Sequence, residues 1–401
     1  MDRKSRRAAV PFIFVTILLD AIGIGLIIPV LPDVLRRFSS EPDFVSRYFG
    51  LFIGTYALMQ FAASPVLGSL SDRYGRRSIL LGSLLGAALD YLFMAFAPNL
   101  PLLFLGRAIS GMTGASMTVA SSYMADISDK SNRSANFGMI GAAWGLGFII
   151  GPLTGGLLGT YGATVPFLAA AALNGLNFLY GLFVLPESLS EEHRRHVELK
   201  KLNPFKSILK ILQPSEIVGL VWIYFLLLIA MQIHPVNWTL YTQLKFGWTS
   251  REVGMSLAFV GIMFAFGQGV MTRVLIPRLG EQRALTLGLS AYALIYALFA
   301  VATRGWMMYA IVLLIAITGV TVPALQSIIA HHIPPNRQGE VQGSLVSLGS
   351  LSAVIAPLVF TPLFVLFTKA GAPVYFPGAA YLGASSFCLF ALILRWRNRN
   401  A

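Results

Sequence analysis

Residues Gly138 to Pro152 read GMIGAAWGLGFIIGP, and residues Gly343 to Pro357 read GSLVSLGSLSAVIAP, the same pattern returning after 205 positions. At that offset Asn132-Arg133 also returns as Asn336-Arg337, and Arg73-Tyr74-Gly75 as Arg278-Leu279-Gly280. The matches are short, but they stay in order and in phase. The chain therefore reads as two copies of one unit, and each copy is built from apolar runs. Charged residues are 12% of the 401, about half the share in a soluble chain. The runs fall at 9–31, 48–70, 78–98, 101–125, 137–159, 165–185, 216–240, 252–276, 283–302, 306–330, 339–365 and 373–395. Each is long enough to cross a ~30 Å hydrocarbon core. The expected fold is an all-α membrane protein, with twelve transmembrane helices in two pseudo-symmetric six-helix bundles.

One long polar stretch, Pro186–Ser215, separates six runs from six and carries Glu191, Glu192, His193, Arg194, Arg195, Lys200 and Lys201. It reads as a solvated linker at the membrane surface. The expected division is an N-terminal bundle at 1–185, a linker at 186–215 and a C-terminal bundle at 216–401. Of the 30 Lys and Arg, 22 lie in the N-terminus, even-numbered loops, linker and tail, against seven in the odd-numbered loops. This asymmetry puts both termini and the linker in the cytoplasm. It also accounts for the net charge of +13 without a nucleic-acid partner. Arg3, Lys4, Arg6 and Arg7 ahead of an apolar run mimic a signal peptide, but the run reaches about Leu31, too long for one.

Two homologous six-helix halves around a midplane site are a transporter architecture. The single cysteine, Cys388, allows neither an intrachain disulfide nor a cysteine metal cluster. Gly23/Gly25, Gly145/Gly147 and Gly267/Gly269 give Gly-x-Gly pairs without the third glycine of a dinucleotide fingerprint. No Walker A loop, HExxH motif or Gly-x-Ser-x-Gly elbow occurs either. The expectation is a non-enzyme with no cofactor and no metal. Its partners would be a small-molecule substrate, protons and the lipid bilayer, and it would work as a monomer.

Ionisable groups at membrane depth are costly and normally face a cavity or a partner. Three stand out: Asp20 midway along the first run, Asp90 and Arg107. Asp90 precedes the Pro98–Pro101 turn by eight residues and Arg107 follows it by six, so they lie ~12 and ~9 Å below it. That depth lets them pair, as a static ion pair or as working charges. Asp20 has no partner near in sequence, which favours a titrating role. His234, beside Pro235, can switch charge near neutral pH or serve as a neutral packing residue; the latter is preferred. Gln60, Gln232, Gln268 and Gln326 are further candidates for a polar cavity, whereas His331 and His332 fall at the membrane interface.

Two motifs add to this. Gly147, Gly151, Gly155 and Gly159 form an i,i+4 ladder whose plainest meaning is close helix packing. Gly68 to Arg77 reads GSLSDRYGRR, where Asp72 can stay ionised by capping a helix or pairing with an arginine. The fuller pattern GLGFIIGPLTGG, with Pro152 and Gly156, resembles the antiporter motif of drug exporters in the major facilitator superfamily. The Gly68–Arg77 loop is similar to that superfamily's loop signature. Leu19–Pro32 (LDAIGIGLIIPVLP), Tyr56–Gln60 (YALMQ), Leu89–Tyr91 (LDY), Leu105–Ala115 (LGRAISGMTGA) and Pro323–Gln326 (PALQ) resemble the drug/proton antiporter branch. Within that branch the chain looks most like tetracycline-resistance efflux pumps of the inner (plasma) membrane.

The resemblance covers nearly the whole chain and implies substrate export in exchange for inward proton movement. It implies a transport role for Asp20, Gln60, Asp90 and Arg107, and a cytoplasmic gate of Asp72, Arg73, Arg76, Arg77 and Asp126, with Arg76 paired to Asp126. There is one departure. The resembling pumps carry a histidine in span 8 and an aspartate in span 9, where this chain has Phe264 and Tyr292. The competing expectation is an importer or facilitator of a metabolite or siderophore. A receptor on a transporter fold is disfavoured by the intact motifs, and a channel by the paired halves.

Overall fold

The computed structural model describes residues 3–39, 41–114, 116–129, 132–189, 192, 194, 217–333, 338–372 and 374–399. Most of the charged linker and the repeated Asn336-Arg337 pair lie outside the described residues. Among those described, twelve helical stretches are long and apolar enough to cross a membrane. They begin at Ala9–Ile27, Asp43–Tyr74 and Arg76–Ala95, end at Val341–Thr368 and Ala379–Arg397, and follow the expected runs to within a few residues.

The elements are α1 Arg3–Ile27, α2 Leu31–Arg36, α3 Pro42–Tyr74, α4 Arg76–Ala95, α5 Leu100–Thr113, α6 Ser116–Ile127, α7 Arg133–Gly159 and α8 Val165–Val184. Then follow α9 Val218–Met231, α10 Ile233–Phe246, α11 Ser250–Phe266, a π turn at Gly267–Met271, α12 Thr272–Leu279 and α13 Glu281–Val301. The last are α14 Gly305–Thr318, α15 Thr321–His331, α16 Gln338–Thr368 and α17 Ala379–Arg399.

The helix breaks repeat with the sequence. Span four breaks at Gly114, between α5 and α6; span ten breaks at Gly319, 205 residues on, between α14 and α15. A broken helix frees backbone carbonyls that lipid cannot satisfy, so a neighbouring helix must. Gln60 Nε2 donates to the Gly114 carbonyl at 3.0 Å, and Thr272 Oγ1 to that of Gly319 at 3.5 Å. Pro323 helps at the second break, because it has no N–H to offer the residue four back. Pro235 acts likewise in span seven: α9 gives way to α10 at Gln232, and His234 bonds the Met231 carbonyl that Pro235 leaves.

The described chain divides into two compact units. The first runs to Phe38 and resumes from Thr55 through the sixth span; the second takes Ser39–Gly54 and the described residues from 217 onward. A division at the linker alone would put Ser39–Gly54 in the first. Two glycines of α3 account for the difference. A Cβ on Gly50 would overlap the Thr361 side chain, and one on Gly54 would lie 3.6 Å from Pro357, both on α16.

Lipid tails are as apolar as leucine, so close packing rather than the hydrophobic effect holds such helices together. In the first unit the glycine ladder does this. A Cβ on Gly151 would sit 2.8 Å from the Ile22 carbonyl and 2.9 Å from Gly25 Cα, and one on Gly25 would sit 2.7 Å from Pro152. Gly147 and Gly155 are pressed as tightly on Ala21 and Leu26. The ladder is therefore the seam between α7 and α1, and α1 carries Asp20. Phe12, Ile13, Leu80, Leu84, Tyr123 and Met124 fill the adjoining core. The second unit is cored by aromatic rings, with Trp238, Tyr241, Tyr296, Phe299 and Tyr381 all fully buried.

Candidate functional site

In the first unit α1, α3, α4 and α5 bring the sequence candidates together around two phenols. Arg107, 2% exposed, lies with its guanidinium carbon 4.2 Å from the centre of the Tyr56 ring. Asp20 and Asp90 are both within electrostatic reach of Tyr56 and Tyr91, as is Arg107. Tyr91 reaches α1 directly: a Cβ on Gly23 would lie 2.9 Å from its hydroxyl. Gln60 donates to the Tyr56 hydroxyl at 3.3 Å besides capping Gly114.

The anticipated Asp90–Arg107 pair takes a different form. Asp90 is 3% exposed, and its Oδ2 accepts from Thr113 Oγ1 at 3.2 Å, while Oδ1 has no hydrogen-bond partner in the structure. Arg107 acts on this carboxylate through space. The guanidinium is instead spread over the Tyr56 ring, whose electron-rich face stabilises a cation where water is scarce. Tyr56, Tyr91 and Thr113 were not singled out from sequence; the two tyrosines stand inside stretches that were, YALMQ and LDY.

A second cluster forms where α3 turns into α4. Arg76 forks between two carboxylates, Asp72 Oδ1 at 2.6 Å and Asp126 Oδ2 at 3.2 Å, and also donates to Ser71 Oγ at 2.5 Å. The expected Arg76–Asp126 contact is thus present, with Asp72 added to it. Arg73 lies over the Tyr74 ring, and Arg77 Nη2 donates to the Leu182 carbonyl at 2.8 Å. The N-terminus of α4 has no cap from its own residues, and Gly75 adopts φ +97° there. Glu187, just past α8, supplies the cap: Oε1 accepts from Arg76 N at 2.9 Å and Oε2 from Arg77 N at 3.2 Å. Sequence reading missed Glu187, because it opens the polar stretch taken for a solvated linker.

In the second unit, the His234 ring stacks on Trp238 at 5.3 Å and approaches Tyr296 and Phe299 at 5.8 and 6.0 Å. Its Nε2 is buried without a hydrogen-bond partner. Tyr292 is buried beside Tyr296, with ring centres 5.6 Å apart. Gln326 instead joins Tyr224, donating to its hydroxyl at 3.2 Å. Gln268 is exposed within the π turn, and Gln232 sits at the α9–α10 break. Phe264 lies part-buried on α11, with no ring contact to the His234 group. The structure therefore brings His234 and Tyr292 together through Tyr296, and leaves the glutamines and Phe264 apart. Among the described residues no group of three or more His, Cys, Asp or Glu could hold a metal ion.

Comparison with known proteins agrees with this geometry. The profile described as "Major Facilitator Superfamily" matches residues 13–357. The class C tetracycline resistance protein of Escherichia coli is 42% identical over 361 residues, covering 90% of each chain. The class B protein of Escherichia coli is 38% identical over 376 residues, 94% of this chain and 92% of that one. Among solved structures, the human organic anion transporter MFSD10 (TETRAN) superposes with a TM-score of 0.71 at 25% identity, over 98% of this chain and all of that one. A bacterial homologue of the human lysosomal transporter Spinster gives 0.78 at 14% identity, over 100% and 98% of the two chains. With twelve membrane-length helices, two repeats and a profile match across most of its length, this chain is a multi-pass membrane protein that belongs to the Major Facilitator Superfamily.

Proposed function

We propose that the protein exports small amphipathic compounds in exchange for protons, by alternating access between its two halves. The observation that carries this is the Asp20–Asp90–Arg107 cluster at membrane depth, in a chain 42% identical to a tetracycline resistance protein over 90% of its length. A carboxyl group in low dielectric is expensive to keep ionised, which suits it to carrying a proton. Asp20 is the proton carrier in this reading: it stands on the helix that the glycine seam locks to α7, where a small shift changes its surroundings. Arg107 holds compensating charge near it, and Asp90 with Thr113 tunes that charge.

Both termini lie in the cytoplasm of the inner membrane in this reading, and the Asp72–Arg76–Asp126 cluster is the cytoplasmic gate. Its ion pairs hold one face shut and release when the halves rock. The substrate meets an aromatic rather than a charged C-terminal half, because Phe264 and Tyr292 stand where the resembling pumps carry a histidine and an aspartate. Such a surface suits a planar amphipathic compound, and resistance to metal-chelated tetracycline is expected to be weak. Inverted vesicles carrying a pH-sensitive dye test this. Planar amphipathic drugs should dissipate an imposed proton gradient, and no compound-dependent proton flux from any drug tried would overturn the reading.

A further inference from the structure

Glu187 has no place in the gate as described so far, yet its carboxylate collects more hydrogen bonds than any other acid there. Oε1 accepts from the backbone N–H of Arg76 at 2.9 Å, of Ser188 at 3.0 Å and of Leu189 at 3.1 Å; Oε2 accepts from Arg77 N at 3.2 Å. Two of these donors open α4, and the other two lie in the chain that leaves α8. One carboxylate therefore ties the start of the linker to the first turn of the third span. Its charge is well placed, since a helix N-terminus attracts an anion and leaves N–H groups unfilled.

The neighbouring contacts turn this tie into part of the gate. Ser188 Oγ donates to Asp126 Oδ2 at 2.9 Å, the same oxygen that Arg76 Nε meets at 3.2 Å. Tyr123 donates its hydroxyl to the Pro186 carbonyl at 2.7 Å. Gly75 is fitted to the same carboxylate, because a Cβ there would overlap Glu187 Oε2, and its φ of +97° disfavours any side chain. Pro186, Glu187 and Ser188 thus touch α4, Arg76 and α6 together. Accepting from backbone rather than from a side chain, Glu187 fixes where the α4 terminus lies and so where Arg76 begins.

We propose that Glu187 is a positioning residue of the gate: it ties the chain leaving α8 to the first turn of α4 and so seats Arg76 between Asp72 and Asp126. This rests on the gate reading above. Without the carboxylate Arg76 keeps both partners but loses its fixed origin, so the gate loosens while the substrate site is untouched. Turnover then falls and KM stays.

The test uses the full-length protein in inverted vesicles, with transport followed as drug-driven proton flux and protein amount fixed by immunoblot. Glu187→Ala should lower turnover about tenfold with KM within about twofold, as loss of charge-assisted hydrogen bonds implies, and Glu187→Gln should fall between it and wild type. A Ser69→Cys reporter should react faster with a membrane-impermeant maleimide in the Glu187→Ala background; the native Cys388 is fully buried and supplies a silent background. Adding Asp72→Asn to Glu187→Ala should cost little beyond either change alone, since both act on one lock. Normal turnover and labelling in Glu187→Ala, or losses that multiply with Asp72→Asn, overturn the proposal. An impaired Asp72→Asn beside an unimpaired Glu187→Ala overturns it alone, whereas an unimpaired Asp72→Asn overturns the gate reading and this proposal with it.

Discussion

The two units share one sequence pattern and one pair of helix breaks, yet their interiors differ in kind. The first holds Asp20, Asp90 and Arg107 around two buried phenols. At the positions 205 residues further on stand Phe225, Ile295 and Val312. The second unit fills its interior with Trp238, Tyr241, Tyr296, Phe299 and Tyr381, and the imidazole of His234 is packed among them. Backbone plan and chemistry have thus separated. The breaks at Gly114 and Gly319 recur in both halves, whereas the charges of Asp20, Asp90 and Arg107 do not. Under the function proposed above, this difference implies a division of labour, with proton coupling in the N-terminal half and substrate contact weighted toward the C-terminal one.

The largest effect that would break this division is at Asp20. Asp20→Asn removes the proposed proton carrier but keeps the shape, so uphill transport should vanish while drug binding survives. Proton-coupled flux undiminished in that variant would end the division as stated. Arg107→Leu comes next. It leaves the buried Asp90 carboxylate without the guanidinium that acts on it, and breaking a buried charge group costs about 3–5 kcal/mol. Adding Asp90→Asn should recover part of the loss in a double-mutant cycle of stability and flux. Because Asp90 bonds Thr113 and meets Arg107 only through space, the coupling should be about 1 kcal/mol rather than that of a direct pair. Additive losses would show that the two charges work independently.

The aromatic half gives the next test. Phe264→His combined with Tyr292→Asp places ionisable groups where the resembling pumps have them. Tetracycline resistance of cells expressing that variant should rise above wild type, and unchanged resistance would show that these positions do not set the substrate. Smaller again is the seam. Gly151→Ala must push its new methyl into the Ile22 carbonyl and Gly25, costing about 1–3 kcal/mol, as overpacking does. Gly141→Ala on the same helix meets nothing within 4 Å and should be neutral. Thermal unfolding in detergent separates the two, and equal melting temperatures would remove the seam from the account.

What the sequence disclosed and what it hid have physical reasons. Twelve spans were legible because hydropathy over twenty residues is a strong signal, and the repeat because proline and glycine mark helix geometry. Asp20, Asp90 and Arg107 were legible as exceptions in an apolar background. Thr113 and Glu187 were not: a threonine in a helix and an acid at the edge of a charged stretch look ordinary until their neighbours are known. The π turn at Gly267–Met271 was hidden for a similar reason. It starts at the close approach of Gly267 to Gly319, a contact between spans that no local pattern records.

The smallest expected effect lies where the two halves look most alike. The counterparts of Arg76 and Asp126, 205 residues on, are Glu281 and His331, and they too are in contact, with His331 Nδ1 3.4 Å from Glu281 Oε2. The polarity is reversed, and the strength is not equal. The Arg76 side chain is 10% exposed and holds Asp72, Asp126 and Ser71 at once. The His331 side chain is 70% exposed, and its attraction to Glu281 exists only while the imidazole is protonated. An exposed pair of this kind contributes about 0–1 kcal/mol. Ser327, donating to Glu281 at 2.5 Å, holds the carboxylate whether or not the histidine is charged. His331→Ala should therefore slow drug-driven proton flux by less than about twofold, against more than about tenfold for Arg76→Ala. The same ranking should hold at raised salt, which screens the exposed pair further. Equal slowing by the two substitutions would mean that both halves carry a gate of similar weight, and the asymmetry between the units would then stop at the membrane core.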